Sequence, residues 1–137
     1  MTEKCFVDSN IWIYSFADDD PARKKKACEF LNSTRPTVVS WQVVNETCST
    51  LLHKKGKNEI FIRFVVDHIC ESCEVVDFNA SLLESASQLR TRYSISFWDS
   101  LIVAAALAAG CSTLCSEDMQ HGQKYGEMAV HNIFKPL

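Results

Sequence analysis

The stretch from Ser96 to Gly110 places one acidic residue at the head of an otherwise apolar segment. From Leu101 to Ala109 no polar side chain occurs, so a helix here is apolar on every face, which is typical of a helix buried in a core. Asp99 lies in its first turn. A carboxylate in such surroundings must be solvated in a cleft, paired with a cation, or hydrogen-bonded to free helix N–H groups. The segment therefore predicts a core helix with Asp99 in its first turn, where the carboxylate lies in a solvated cleft, beside a cation or in a capping hydrogen bond.

Short hydrophobic strands alternate with helical segments along the rest of the chain. The predicted strands are 4–7, 37–40, 74–78, 112–115 and 131–134. The predicted helices are 11–16, 22–31, 41–55, 58–70, 80–92 and the apolar segment. We place the last strand at a sheet edge because Pro136 follows it closely. Since the strands lack polar alternation and the connections are long enough for crossovers, the pattern predicts an α/β fold with a mainly parallel, five-stranded sheet.

Length and composition indicate one domain over residues 1–137. The chain is 47% hydrophobic, which suits a single core. Its longest apolar run, Leu101 to Ala109, is far shorter than the roughly 20 residues that cross a bilayer, and the N-terminus lacks the apolar segment of a signal peptide. The seven cysteines are an odd number in mostly apolar surroundings, which favours reduced thiols. These features predict a soluble cytoplasmic protein with no membrane contact.

Four acidic residues fall where ligands bind in a sheet of this kind. Such ligands lie beyond the carboxyl ends of the strands, where the strand order reverses. Asp8 follows the first strand, Glu46 lies soon after the second, and Asp118 follows the fourth, while Asp99 opens the apolar helix. Each also has a non-catalytic interpretation when taken alone. Asp8 and Asp99 suit helix caps, Glu46 suits a solvated helix face and Asp118 suits a turn.

Together the four acids favour a metal site. Carboxylates a few Å apart repel by about 4 kcal/mol per pair at an effective dielectric of about 20, so such a cluster holds a proton or gathers a cation. Mg²⁺ and Mn²⁺ prefer oxygen ligands of this type. An ion held there activates water toward a phosphodiester and neutralises charge on the transition state. No P-loop, GxGxxG or Ser/His/Asp order competes with this interpretation.

Two other classes of function stay open at this point. One is a non-catalytic module that binds RNA or a protein partner through the same fold. The other is a phosphoryl-transfer protein with Asp8 as nucleophile, which is less favoured because Asn10, not a second acid, stands two residues later.

Basic residues set the expectation for RNA binding. The net charge of −3 argues against binding through general attraction to phosphate. Arg90 and Arg92 enter the loop that leads to Asp99, and we predict that they bind substrate. The basic clusters at 23–26 and 54–57 are interpreted as solvated helix faces. Glu117, next to Asp118, is predicted to point to solvent.

Four motifs carry a family resemblance. They read FVDSNI at residues 6–11, VVNET at 43–47, FWDSLI at 97–102 and LCSEDMQHG at 114–122. Taken together, they resemble the PIN-domain ribonucleases, and most closely the VapC-like toxins of toxin–antitoxin pairs. The match spans nearly the whole chain in the order and spacing of that family.

The resemblance implies a three-layer α/β/α fold and an acidic pocket that binds Mg²⁺ or Mn²⁺ through Asp8, Glu46, Asp99 and Asp118. Asn10 and Ser116 match the polar positions that support these acids. The implied activity is cleavage of single-stranded RNA by activated water, which leaves 5′ phosphate and 3′ hydroxyl ends. The implied partners are a second copy of the chain in a homodimer and a small antitoxin whose tail fills the groove.

Overall fold

A computed structural model describes residues 3–33 and 35–136 of the chain. Met1, Thr2, Thr34 and Leu137 lie outside the described residues. These four residues belong to three of the predicted features: the N-terminus without a signal segment, the helix break at 32–36 and the 1–137 domain. Those parts of the predictions lie outside the described residues as well.

Strands and helices alternate along the described residues. The strands are β1 (Cys5–Val7), β2 (Thr37–Ser40), β3 (Glu74–Val76), β4 (Thr113–Cys115), β5 (Lys124–Tyr125) and β6 (Met128–His131). The helices are α1 (Ser9–Phe16), α2 (Pro21–Leu31), α3 (Trp41–Lys54), α4 (Glu59–Ser72), α5 (Ala80–Arg92) and α6 (Phe97–Ala108). A side-chain oxygen caps the start of each helix and satisfies a free N–H group there. The capping residues are Asp8, Asp20, Ser40, Asn58, Asn79 and Ser96.

The sheet has the strand order β3-β2-β1-β4-β6-β5. All neighbouring strands are parallel except β5 and β6. The chain moves from β1 through β2 to β3 in one direction and then returns to β4 on the other side of β1. Because parallel crossovers are right-handed, this reversal places the helices that precede and follow β3 on opposite faces. The predicted α/β fold with a mainly parallel sheet is confirmed, and the strand order reverses between β1 and β4.

The predicted position of the last strand is wrong. Residues 132–134 form a turn, in which the Asn132 side chain accepts a hydrogen bond from the Phe134 N–H group at 2.9 Å. The strand lies earlier, at β6, and a turn containing Gly126 (φ of 62°) connects it to the short strand β5. The sheet therefore has six strands rather than five, and β5 occupies the edge predicted for the last strand.

Helix α6 forms part of the core. Its residues from Ser100 to Ala106 are buried, whereas Leu107 is exposed to 37% and Ala108 is also exposed. The prediction of a core helix is thus confirmed except at its last turn, which emerges beside α5. This burial fixes the start of α6, where Asp99 lies. No helix in the described ranges has the length and hydropathy needed to cross a membrane.

Candidate functional site

The carboxyl ends of β1 and β4 bring two polar residues side by side. Val7 and Cys115 are register partners, and the Asp8 N–H group donates to the Cys115 carbonyl at 2.9 Å. Asp8 and Ser116 are the next residues of the two strands. They therefore lie at the point where the strand order reverses, the place at which open α/β sheets bind ligands.

Asp8 is a buried carboxylate, exposed to only 5%. Its Oδ1 accepts from the Ser9 N–H group at 2.8 Å, and its Oδ2 accepts from the Ser116 hydroxyl at 2.7 Å. Burial raises the pKa of Asp8 to about 6; the two hydrogen bonds oppose this shift, and the charges of Glu46 and Asp118 add to it. Asp8 caps α1, as its capping interpretation predicted, and also faces two other acids.

Glu46 on α3 is fixed by two donors. Its Oε2 accepts from the Ser9 hydroxyl at 3.0 Å, and its Oε1 accepts from the Gln42 amide at 3.1 Å. Because Ser9 also donates its backbone N–H group to Asp8, one residue contacts both acids. Gln42 precedes Glu46 by one helical turn, the spacing at which helical side chains meet.

Asp118 is an exposed residue of the loop after β4. Its Oδ2 accepts from the Asn10 amide at 3.1 Å, and its backbone N–H group donates to the Ser116 hydroxyl at 3.2 Å. Ser116 is completely buried and thus connects the Asp118 backbone to the Asp8 carboxylate. Asn10 and Ser116 therefore both contact these acids, and the supporting role that the family resemblance implies for them stays a prediction.

Asp99 lies in the first turn of α6, where its N–H group donates to the Ser96 hydroxyl at 3.1 Å. Ser96 therefore caps α6 through the backbone of Asp99, which is half of a capping box. Gln42 connects this helix start to Glu46, because its amide also donates to the Trp98 carbonyl at 3.4 Å. The Asp99 carboxylate itself has no hydrogen-bond partner within residues 3–33 and 35–136. It approaches Tyr125, whose pKa is raised by burial and further by the Asp99 charge.

The donor chemistry of this site fits a divalent cation. The described residues provide no ion pair to any of the four acids, so the buried charge of Asp8 is not compensated by a neighbouring Lys or Arg. No three Asp, Glu, His or Cys side chains of these residues are placed to hold one ion. Mg²⁺, however, is usually bound through one or two carboxylates and keeps several waters. The acids thus supply suitable oxygen ligands without forming a closed cage.

The prediction that Glu117 points to solvent is wrong. Its Oε1 accepts from the Tyr14 hydroxyl at 2.5 Å, and its Oε2 accepts from Arg23 Nε at 2.7 Å. Burial and the Glu117 carboxylate raise the pKa of Tyr14 to about 12, so its hydroxyl stays protonated at neutral pH. Arg23 therefore forms an ion pair with Glu117. This differs from the solvated helix face predicted for the basic cluster at 23–26.

Of the two predicted substrate-binding arginines, Arg90 lies beside the start of α6, whereas Arg92 lines a cavity with Leu107 and Ala108 at the end of that helix. Arg90 donates to the Ser100 hydroxyl at 2.7 Å and lies 4.5 Å over the Phe97 ring. Arg92 lies over the Tyr93 ring, at 5.4 Å. Arg90 thus contacts the residue that follows Asp99, and binding of RNA by Arg90 and Arg92 stays a prediction.

The sequence did not predict the contacts that three residues make at the site: Ser9, Gln42 and Tyr14. Gln42 stands four residues before Glu46, and Tyr14 stands four residues after Asn10. This spacing is a usable signal, because residues one turn apart share a helix face. For Ser9, nothing in the neighbouring sequence points to Glu46.

The fold and the acidic residues define an α/β protein with an acidic site at its switch point. The PIN-domain family model matches residues 5–126, so the chain belongs to the PIN-domain family. The resemblance inferred from the four motifs is confirmed. No curated protein sequence matches the chain.

Solved structures share this fold at low sequence identity. VapC20 of Mycobacterium tuberculosis, described as a Sarcin-Ricin loop cleaving toxin, matches with a TM-score of 0.66 and 22% identity over 80% of this chain and 86% of its own. A toxin–antitoxin complex from Klebsiella pneumoniae gives 0.72 and 15% identity over 96% and 99%. VapBC2 of Rickettsia felis, bound to promoter DNA, gives 0.68 and 19% over 94% and 98%. These three likenesses show that the chain shares their fold.

Proposed function

We propose that this protein is a metal-dependent endoribonuclease that cleaves single-stranded RNA and acts as the toxin of a toxin–antitoxin pair. The observation that carries the proposal is the buried Asp8 carboxylate, which faces Glu46 and Asp118 at the switch point of a PIN fold and is paired with no Lys or Arg of the described residues. An RNA substrate is supported by the description of VapC20 as a toxin that cleaves the Sarcin-Ricin loop.

In the proposed mechanism, Asp8, Glu46, Asp99 and Asp118 would hold Mg²⁺ or Mn²⁺. One or two of them would bind the ion directly and the others through water, since no three side chains of the described residues are placed to hold one ion. The chemistry such an ion supplies when bound is activation of water and neutralisation of charge on the phosphodiester. Ser9 and Ser116 orient the Asp8 carboxylate, and Asn10 orients that of Asp118. Burial of Asp8 keeps bulk water away from one side of the site, which strengthens its attraction for a cation.

Removal of the metal tests this function directly. We expect a fluorescently labelled single-stranded RNA to be cut with Mn²⁺ or Mg²⁺ present, giving 5′ phosphate ends. Chelation with EDTA stops the cleavage, and Mn²⁺ in excess of the chelator restores it. Calorimetry of the same protein with Mn²⁺ gives the independent readout. A folded protein that neither binds Mn²⁺ nor cuts RNA contradicts the proposal and favours the non-catalytic binding module.

An antitoxin is the proposed protein partner. The support comes from the Klebsiella complex of toxin and antitoxin and from the Rickettsia VapBC2 complex, which share this fold. The chain's net charge of −3 and the acids of its site suit a partner with a basic segment.

A homodimer is also proposed, through a surface that we call the aromatic groove: Trp41, Phe78, Leu83 and Trp98. These side chains line a cavity of about 640 Å³ between α3, α5 and α6. Leu83 is 50% exposed and Trp98 65% exposed, and clustered apolar side chains of this kind are typical of protein interfaces. Glu46 lies on the wall of the groove. In a twofold dimer the same groove is used by both copies, so the partner would close one side of each acidic site.

Leu83→Asp is expected to convert the dimer to a monomer, because it would bury a carboxylate in the apolar contact. Analytical ultracentrifugation measures the mass. Ile60→Asp is the matched control, since Ile60 is an exposed aliphatic residue on α4, outside the groove. A monomeric parent protein, or a Leu83→Asp variant that stays dimeric, contradicts the use of this groove.

A further inference from the structure

Four side chains form a connected group beside the acidic site, which we call the Glu117 brace: Tyr14, Arg23, Glu117 and Phe134. Tyr14 and Arg23 donate to different carboxylate oxygens of Glu117. The Arg23 guanidinium lies over the Tyr14 ring at 5.5 Å and over the Phe134 ring at 5.4 Å. The two rings meet edge to face at 5.2 Å. Every member of the brace therefore contacts at least two others.

The brace differs from an ordinary surface ion pair. Exposed pairs of long side chains contribute little, because their geometry is loosely held. Here the Glu117 side chain is exposed to only 19%, and both of its oxygens have a donor. The Arg23 guanidinium contacts both rings, and its second contact with Asp20 at 3.4 Å connects it to the start of α2. The geometry of Glu117 is thus fixed from α1 and α2 together.

Helix α1 connects the brace to the acidic site. Asn10 lies one turn before Tyr14 on this helix, and its Oδ1 accepts from the Glu117 N–H group at 3.3 Å. The amide group of Asn10 donates to the Asp118 carboxylate at 3.1 Å. Two successive turns of α1 therefore hold two successive residues of one loop: Tyr14 holds the Glu117 side chain, and Asn10 holds the Glu117 backbone and the Asp118 side chain.

We propose that Tyr14 and Glu117 are positioning residues for Asp118. The brace anchors the loop after β4 to α1, so that the Asp118 carboxylate is directed at the acidic site before any ion binds. The consequence for metal binding rests on the proposed function, whereas the anchoring of the loop does not. Without the brace, the exposed Asp118 would keep its direct hydrogen bonds with Asn10 and Ser116, and the buried Met119 would be the next anchor of the loop.

Hydrogen exchange in the metal-free protein tests the anchoring. The N–H groups of Glu117 and Asp118 donate to Asn10 and Ser116, so their exchange rates report the position of the loop. In Tyr14→Phe, which keeps the ring and removes the hydroxyl, we expect exchange at these two positions about three- to tenfold faster, the effect of one lost hydrogen bond. Exchange at Phe6 in β1 stays unchanged, which excludes a global loss of stability.

Tyr93→Phe is the matched control. It is the same substitution, and its lost hydroxyl accepts from the Gly126 N–H group at 3.3 Å, away from Glu117. We expect no change at Glu117 or Asp118 in this variant. Circular dichroism confirms that both variants are folded.

Calorimetry with Mn²⁺ tests the consequence for the site. We expect Tyr14→Phe and Glu117→Gln to weaken Mn²⁺ binding by about tenfold, as loss of residues that orient metal ligands does. Unchanged exchange at Glu117 and Asp118 in Tyr14→Phe overturns the positioning role. Unchanged Mn²⁺ affinity in a variant whose exchange has risen overturns it as well. A parent protein that neither binds Mn²⁺ nor cuts RNA refutes the proposed function instead, and the exchange rates then decide the anchoring alone.

Discussion

Asp99→Asn is expected to reduce Mn²⁺-dependent RNA cleavage by more than about a hundredfold, the upper range for loss of a residue that only supports a metal ligand. The amide keeps the size of the carboxylate but removes the charge that attracts the ion. Among the four acids, Asp99 gives the clearest test of metal binding. Its carboxylate has no hydrogen-bond partner in the described residues, so its substitution should disturb the folded structure least. Its backbone N–H group still donates to Ser96 in the variant.

Asp8→Asn is expected to lose cleavage to the same extent, since Asp8 is the acid that faces both Glu46 and Asp118. Asp67→Asn is the matched control, because Asp67 is an exposed carboxylate on α4 with no contact to the site. Rates are measured on labelled single-stranded RNA at saturating Mn²⁺, with circular dichroism to confirm folding. Parental cleavage in either Asp8→Asn or Asp99→Asn would refute the assignment of that acid to the metal.

Features set by local chemistry were predictable from the sequence. Strand β2 and helix α5 occupy the predicted residues, because Pro36 precedes the strand and Asn79 caps the helix. The core helix α6 and its acid at the first turn follow from one long apolar run. Asp8 and Asp118 were placed at the same edge by a rule of parallel sheets alone, and the structure puts both acids there.

Features set by long-range contacts were not predictable. Glu117 turns away from solvent because Arg23, distant by 94 positions in the chain, and Tyr14 both donate to it. No local pattern encodes that meeting. Strand β5 has only two residues, too few to show a period of two, so the sixth strand and the true place of β6 were missed.

In the absence of metal, Asp8→Asn is expected to be more stable than the parent protein at pH 7.5, by up to about 3 kcal/mol. The folded-state pKa of Asp8 is about 6, compared with 3.8 for the free side chain. Between these two pH values the unfolded chain loses its proton while the folded protein keeps it, so the stability of the parent falls as the pH rises. A pKa of about 6 in place of 3.8 lowers the free energy of unfolding of the parent by about 3 kcal/mol once Asp8 is ionised in both states. Asparagine cannot ionise and escapes this loss.

The pH dependence separates burial of the charge from the role of Asp8 as a helix cap. Urea unfolding in EDTA should show the advantage of Asp8→Asn at pH 7.5 and its disappearance below about pH 3, where Asp8 is protonated in both the folded and the unfolded state. Asp67→Asn should match the parent throughout. If Asp8→Asn is instead less stable at pH 7.5, the hydrogen bonds from Ser9 and Ser116 outweigh the burial of charge.

Saturating Mn²⁺ should reverse the order of stability at pH 7.5. A ligand that binds only the folded state stabilises it in proportion to the logarithm of its concentration over the dissociation constant. The gain is about 4.1 kcal/mol at a thousandfold excess, which exceeds the advantage of up to about 3 kcal/mol expected for Asp8→Asn. The parent binds the ion with its charged Asp8 and gains this stability, whereas Asp8→Asn gains less. Reversal by Mn²⁺ would identify the unfavourable charge at the end of β1 as the feature that binds the ion. An equal gain in both proteins would place the ion elsewhere.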